Sequence, residues 1–215
     1  MLTKRLEKIV QAIPRCTSLA DVGCDHGYIG LSALTLGKAN NVVFVDVSQP
    51  SLHKAKQNCP QNFESKVHFV CQDGLQSLNV DCAVIAGMGG LEILSILNNA
   101  DVLPQKLVLQ PMRNQQEVRK FLCKHYNITC DYTFFDGKFY DLVVAEKSPT
   151  GCVLTEDEIQ FGKSNLATPC ADFALFLAKE QAKLQQILQQ CNDSNVQHKL
   201  QRVSAVLAKI QEELQ

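Results

Sequence analysis

Residues 41–47 read NVVFVDV, a continuous β-branched run of the kind a strand shows when it is buried on both faces. Such a strand needs cover above and below, and in parallel sheets helices supply it. The neighbouring sequence provides them: residues 28–36, stopped by Gly37, and residues 50–58 have helical patterns. The alternation continues, with strand signals at 19–23, 66–71, 80–86 and 106–110 and helical segments at 3–13, 91–98 and 114–125. The first helix is expected to be capped by Thr3, with Leu6, Ile9, Val10 and Ile13 on one face. Strands alternating with helices predict a doubly wound α/β sheet. Two more strands, 128–135 and 139–146, flank Asp136-Gly137, a dipeptide favoured in tight hairpins, so the sheet should end on an antiparallel pair.

Near residue 150 the strand signals stop, which predicts a main domain at 1–150 and a helical appendage at 151–215. Thr155-Glu156-Asp157-Glu158 is a capping box opening a short helix. Residues 171–191, with Phe173, Phe176, Leu177, Leu184, Ile187 and Leu188, and 196–214, with Leu200, Val203, Val206, Leu207 and Ile210, show stripes at helical spacing. The turn at 192–195 is short, so the two are expected to pair as an antiparallel, coiled-coil-like hairpin.

The net charge of −1 gives no bulk attraction for nucleic acid, so any such contact must be a local patch. Lys4, Arg5, Lys8 and Arg15 against Glu7 make one basic segment, which an N-terminal helix could bring to phosphates or leave to solvent. Arg113, Arg119, Lys120 and Lys124 make another, with the same two readings. The ten cysteines have neither C-x-x-C nor zinc-finger spacing, and Cys24, Cys71, Cys82 and Cys130 sit in apolar runs. Buried free thiols in a reducing compartment and no metal are expected. The N-terminal residues lack a signal-peptide stretch and no run reaches transmembrane length, so a cytoplasmic protein off the membrane is expected, as a monomer or weak dimer.

The candidate site starts at Asp21-Val22-Gly23-Cys24-Asp25-His26-Gly27, where the first strand turns. Ligands of open α/β sheets lie beyond the carboxyl ends of the strands. Gly23 and Gly27 permit a tight turn and a close approach. Asp25 and Tyr28 occupy the second and third glycine positions of a dinucleotide fingerprint, which disfavours a pyrophosphate. A carboxylate there, Asp21 or Asp25, instead suits the ammonium of the methionine moiety of S-adenosylmethionine. Asp46 ends the second strand, where an acidic residue accepts from ribose hydroxyls, with Val47 beside it. Asp73-Gly74 follows the third strand, and Asp73 can accept from an adenine amine. Gly87-Met88-Gly89-Gly90 follows the fourth and allows close substrate approach, with Met88 placed to touch an adenine. His26 and Tyr28 can stack on a base.

With Asp21–Tyr28 and Ala86–Gly90 together, the chain resembles the bacterial tRNA (adenine(22)-N(1))-methyltransferase family. The likeness extends to Leu109-Gln110-Pro111, to residues 135–140 and 143–146, and to the helical tail. Met112 and Phe161-Gly162-Lys163 depart from the family's pattern, where a polar residue and a Phe-Gly-Pro-like start are usual. The resemblance implies a class I methyltransferase fold with a seven-stranded Rossmann-like sheet and an antiparallel edge hairpin. It implies S-adenosyl-L-methionine as cofactor and methylation of N1 of an adenine in the D-arm region of tRNA. Asp21, Gly23, Cys24, Asp25, Gly27, Asp46, Val47, Asp73, Gly74, Gly87, Met88 and Gly89 are then expected at the cofactor. Asp25, His26, Gly87 and Met88 are expected to position the reaction, and Arg5, Lys8, His26, Tyr28, Gly90, Gln110 and Pro111 to meet the RNA. A small-molecule or protein acceptor, or a non-catalytic RNA-binding module, are the competing readings.

Overall fold

The computed structural model describes residues 2–214. Helix α1 (Lys4–Ala12) opens on Thr3, whose hydroxyl accepts from the Leu6 N–H, and buries Ile9 and Val10. Then follow β1 (Cys16–Val22), α2 (Tyr28–Thr35), β2 (Ala39–Asp46), α3 (Gln49–Gln57) and β3 (Val67–Cys71). The next elements are β4 (Cys82–Met88), α4 (Gly90–Asn98), β5 (Lys106–Pro111), α5 (Gln115–His125), β6 (Tyr126–Asp136) and β7 (Lys138–Lys147). A 3₁₀ turn at Gln61–Lys66, set off by Pro60, has no periodic apolar signal and was not expected from the sequence.

The strands form one sheet in the order β3-β2-β1-β4-β5-β7-β6. β1 to β5 pair in parallel and β7 runs antiparallel to β5 and to β6, as the alternation and the Asp136-Gly137 turn predict. Alternate residues of each strand serve opposite faces. Leu19, Phe44, Val84 and Val108 pack with Ile9, Leu34 and Leu52 from α1 to α3. Ala20, Val45, Ile85 and Leu107 pack with Ile93, Leu97 and Leu122 from α4 and α5. Both faces are covered, which is what NVVFVDV requires. Strand order reverses between β1 and β4, so a crevice opens at their carboxyl ends.

The tail contains α6 (Glu156–Phe161), with the capping box of Thr155 and Glu158 formed, and the paired helices α8 (Ala171–Gln190) and α9 (Ser194–Glu213). Between them lies a helix missed in the sequence, α7 (Lys163–Ala167). Phe173, Leu177, Leu184, Val203, Leu207 and Ile210 make a separate apolar cluster that holds α8 to α9.

Of the second basic run, Arg119 is neither solvated nor free to meet RNA. Arg119 is only 1% exposed. Its Nε and Nη2 donate to Asp131 at 2.7 and 2.9 Å, and its Nη1 donates to the carbonyls of Ile159 and Gln160. Burial pulls the guanidinium pKa down, and the bonds and charge of Asp131 more than offset it. This residue therefore joins α5, β6 and α6 and is not an RNA contact. Gly162 (φ +90°) lies directly over the pair, where a Cβ would come within 3.0 Å of Asp131 Oδ1, so the helix breaks there and α7 begins.

All ten cysteines are free thiols. Cys24 and Cys82 are buried as expected, whereas Cys71, at the end of edge strand β3, is exposed and Cys130 is half-buried. Cys123 and Cys152 lie with their sulfurs 3.1 Å apart, tying the entry of the tail to α5. No helix among the described residues is long and apolar enough to cross a membrane.

Candidate active site

Gly23 (φ +69°) and Gly27 (φ +73°) turn the chain out of β1 and into α2 through left-handed conformations. Asp25 joins them at φ +36°, which aspartate tolerates better than most residues. A side chain at position 23 would meet the methyl of Met88, so the first glycine loop and the end of β4 touch across the crevice. Gly30 is a functional residue missed in the sequence: a Cβ there would come within 2.5 Å of the Phe44 ring. It performs the close helix-on-sheet packing of a third fingerprint glycine, displaced by two residues from Tyr28. The spacing Gly27-x-x-Gly30 was the available signal.

The acidic residues at the carboxyl ends of β1, β2 and β3 differ in their surroundings. Asp21 is buried and accepts the Gly30 N–H at 2.9 Å. Burial pushes its carboxyl up to about 7, with the nearby Asp46 adding to the rise and the Gly30 bond opposing it. Asp46 is half-buried and accepts from Asp25 N at 3.3 Å and Ser48 N at 2.9 Å, so it fixes the glycine loop and keeps lone pairs for further donors. Asp25 faces Lys54 at 3.2 Å and His26 at 3.6 Å. Asp73 and Val47 are exposed on their loops, while Gly74 (φ +81°) packs on Ile96.

At the far side, β4 runs on through Gly87 and Met88 with a register shift after Ala86, so these residues are strand and not the loop that was expected. Gly90 opens α4 and donates its N–H to the Arg113 carbonyl at 2.9 Å; Gly89 lies against the Arg113 side chain. Arg5 reaches in from α1 and lies against Gly87. Its Nε donates to Gln110 Oε1 at 2.7 Å, and its guanidinium stands 5.4 Å from the Tyr140 ring centre.

A cleft of about 440 Å³ results, lined by Arg5, Gly23, Cys24, Asp25, His26, Tyr28 and Gly87 among others, a size typical of small-ligand sites. His26 and Tyr28 stack in parallel with centroids 5.2 Å apart. Burial raises the Cys24 thiol, which makes it a packing residue and not a nucleophile. Several expected RNA contacts lie elsewhere. Gln110 is fully buried and Pro111 is buried, so they support the site from beneath. Lys8 lies over Tyr132, 5.8 Å from its ring centre, and lines a different cavity. No group of His, Cys, Asp and Glu among the described residues could hold a metal ion.

The fold and the crevice agree with known proteins. A methyltransferase-domain family matches residues 2–143. The tRNA (adenine(22)-N(1))-methyltransferase of Bacillus subtilis is 31% identical over 188 residues, covering 83% of this chain and 76% of the relative. The structure of a Streptococcus agalactiae protein of the NADB-Rossmann superfamily has 28% identity and a TM-score of 0.87, over 96% of this chain and 97% of that one. TrmK of M. capricolum, solved with S-adenosyl-homocysteine, has 25% identity and a TM-score of 0.81, over 99% of this chain and 97% of the other. With its edge hairpin, its crevice between β1 and β4 and this coverage, the chain belongs to the tRNA (adenine(22)-N(1))-methyltransferase family.

Proposed function

We propose that this chain transfers the methyl group of S-adenosylmethionine to N1 of adenine 22 in the D-arm region of tRNA. The observation that supports it most is the meeting of Gly23 with Met88, at the end of β4, where strand order reverses, with acidic residues at three successive strand ends. The B. subtilis relative is named for this reaction, and the M. capricolum relative holds the demethylated cofactor. The residues present suit that cofactor. Asp46 can accept from the ribose hydroxyls, Asp73 from the adenine amine, and the carboxylate of Asp21 below the loop favours a cationic ligand. Residues 1–150 form the methyltransferase domain in this reading and 151–215 the helical appendage. The protein works in the cytoplasm as a monomer or weak dimer and without a metal.

The cofactor supplies an electrophilic sulfonium methyl. With it bound, adenine N1 would attack through its lone pair, the new N–C bond forming as the C–S bond breaks and S-adenosylhomocysteine leaving. The lone pair is present in the neutral base, so positioning is the protein's main task. N1 is on the pairing edge, so the base must be unpaired or flipped into the cleft. The stacked His26 and Tyr28 offer it an aromatic wall. The methylated base is cationic until its N6 proton leaves. Asp25, which faces Lys54, and the main-chain carbonyls near Gly87 are the two acceptors at hand.

Label transfer from methyl-labelled cofactor to unmodified tRNA tests the reading. Label in tRNA is expected; cofactor binding without labelled tRNA would shift the acceptor to a small molecule or a protein. Asp21 adds a pH dependence. Its carboxyl titrates near 7, and the ionised form is the one that attracts a cation, so affinity should rise with pH through that value. Calorimetry should show about fivefold weaker binding at pH 6 than at pH 7, a range in which the cofactor's own ammonium keeps its proton. Asp21→Asn should flatten the profile, and a wild-type profile that is already flat would remove Asp21 from the cofactor site.

A further inference from the structure

Lys4, Arg5 and Lys8 form the basic segment of α1, of which Arg5 and Lys8 are expected to meet RNA, and the structure separates the three. Lys4 donates to the Phe135 carbonyl and pairs with Asp172, and Lys8 lies over Tyr132 outside the cleft. Arg5 alone of the three lines the cleft, and it is held rigidly. Its backbone N–H donates to Asp136 Oδ2 at 2.8 Å, which fixes the start of α1 to the β6–β7 turn. Its Nε is engaged by Gln110, whose own amide nitrogen is turned to the Pro111 carbonyl and Met112 Sδ. Tyr140 and Gly87 bound the guanidinium on further sides. Among the described residues no carboxylate pairs with it. The result is a pre-oriented plane, its Nε edge occupied and its two Nη groups left at the end of β4.

From this geometry we infer that Arg5 is a phosphate clamp for the target nucleotide, its Nη1 and Nη2 donating end-on to the two non-bridging oxygens of the phosphate beside the flipped adenine. An unpaired cation calls for an anion, and a planar fork matches phosphate geometry in a way a lysine ammonium does not. Gln110 is a positioning residue that sets the angle of the fork. Fixing the phosphate next to Gly87 fixes the pivot about which the base swings into the cleft. This inference rests on the proposed methyl transfer to tRNA.

The test compares wild type with Arg5→Ala, Arg5→Lys and Gln110→Leu in steady-state methylation, in cofactor calorimetry and in tRNA binding across a salt series. Arg5→Ala should lower kcat/KM by about 10–100-fold, the loss expected for hydrogen bonds to a charged group. Arg5→Lys should recover only part of that, because it restores charge without the fork. Gln110→Leu should fall between wild type and Arg5→Ala. Cofactor affinity should stay within about twofold in all three. The decisive readout is the slope of log affinity against log salt, which should shrink by about 0.7–0.9 in Arg5→Ala and be kept in Arg5→Lys. A lowered kcat/KM with an unchanged slope in Arg5→Ala would make Arg5 a structural brace and overturn the clamp. So would full activity of either Arg5 variant. If wild type itself fails to methylate tRNA, the functional reading falls; if wild type is active and the variants match it, this inference alone falls.

Discussion

Arg119→Ala should lower the unfolding free energy by about 3–5 kcal/mol, the cost of removing one partner of a buried ion pair. The substitution strands Asp131, which is fully buried, and removes the donors held by the carbonyls of Ile159 and Gln160. Asp141, whose carboxyl burial already pushes upward, also loses the cation 3.6 Å away that holds it down. The tail should loosen with the core, because Arg119 is where α6 meets the sheet. Urea unfolding followed by circular dichroism measures the effect. The double variant Arg119→Met with Asp131→Leu should regain most of the loss, since an apolar pair leaves no charge uncompensated. A loss below about 1 kcal/mol in the single variant would mean that water reaches the pair.

Gly23→Val should weaken S-adenosylmethionine binding by about 10-fold or more. A left-handed backbone at φ +69° costs a branched residue on the order of 1–2 kcal/mol in the loop that faces the cofactor, and the new side chain pushes the flexible end of Met88 into the crevice. Gly37→Val separates them. It has the same backbone hand at φ +63° but nothing within 4 Å of a Cβ. It should therefore show only the stability loss and bind cofactor normally. Calorimetry on both variants, with melting curves, distinguishes a site effect from a general one. Equal binding losses in the two would place the Gly23–Met88 contact outside the cofactor site.

The sheet was legible because its signals are local. NVVFVDV, the strand-end aspartates, the capping box at Thr155 and the Asp136-Gly137 turn each announce an element within a few residues. What stayed hidden depends on partners far apart in the chain. Arg119 reads as one more cation on a basic helix until Asp131 and the α6 carbonyls close around it. Gln110 reads as a polar substrate contact, and Arg5, 105 residues away, turns it into a buried support. Gly162 reads as an ordinary turn glycine at the start of the tail, and its position over the Arg119–Asp131 pair supplies the reason for a glycine there. Cys71 sits in an apolar run, yet the run is an edge strand and the residue is exposed. Membership of a run gives the strand, not its place in the sheet.

The acceptor atom is the centre of the account, and one measurement reaches it directly. An unmodified tRNA transcript with adenine at position 22 is incubated with the protein and S-adenosylmethionine, digested, and mapped by mass spectrometry. The expected product is 1-methyladenosine at position 22, absent from a transcript with guanine there. Methylation at N6, at another nucleotide, or none at all with an active cofactor site would contradict it.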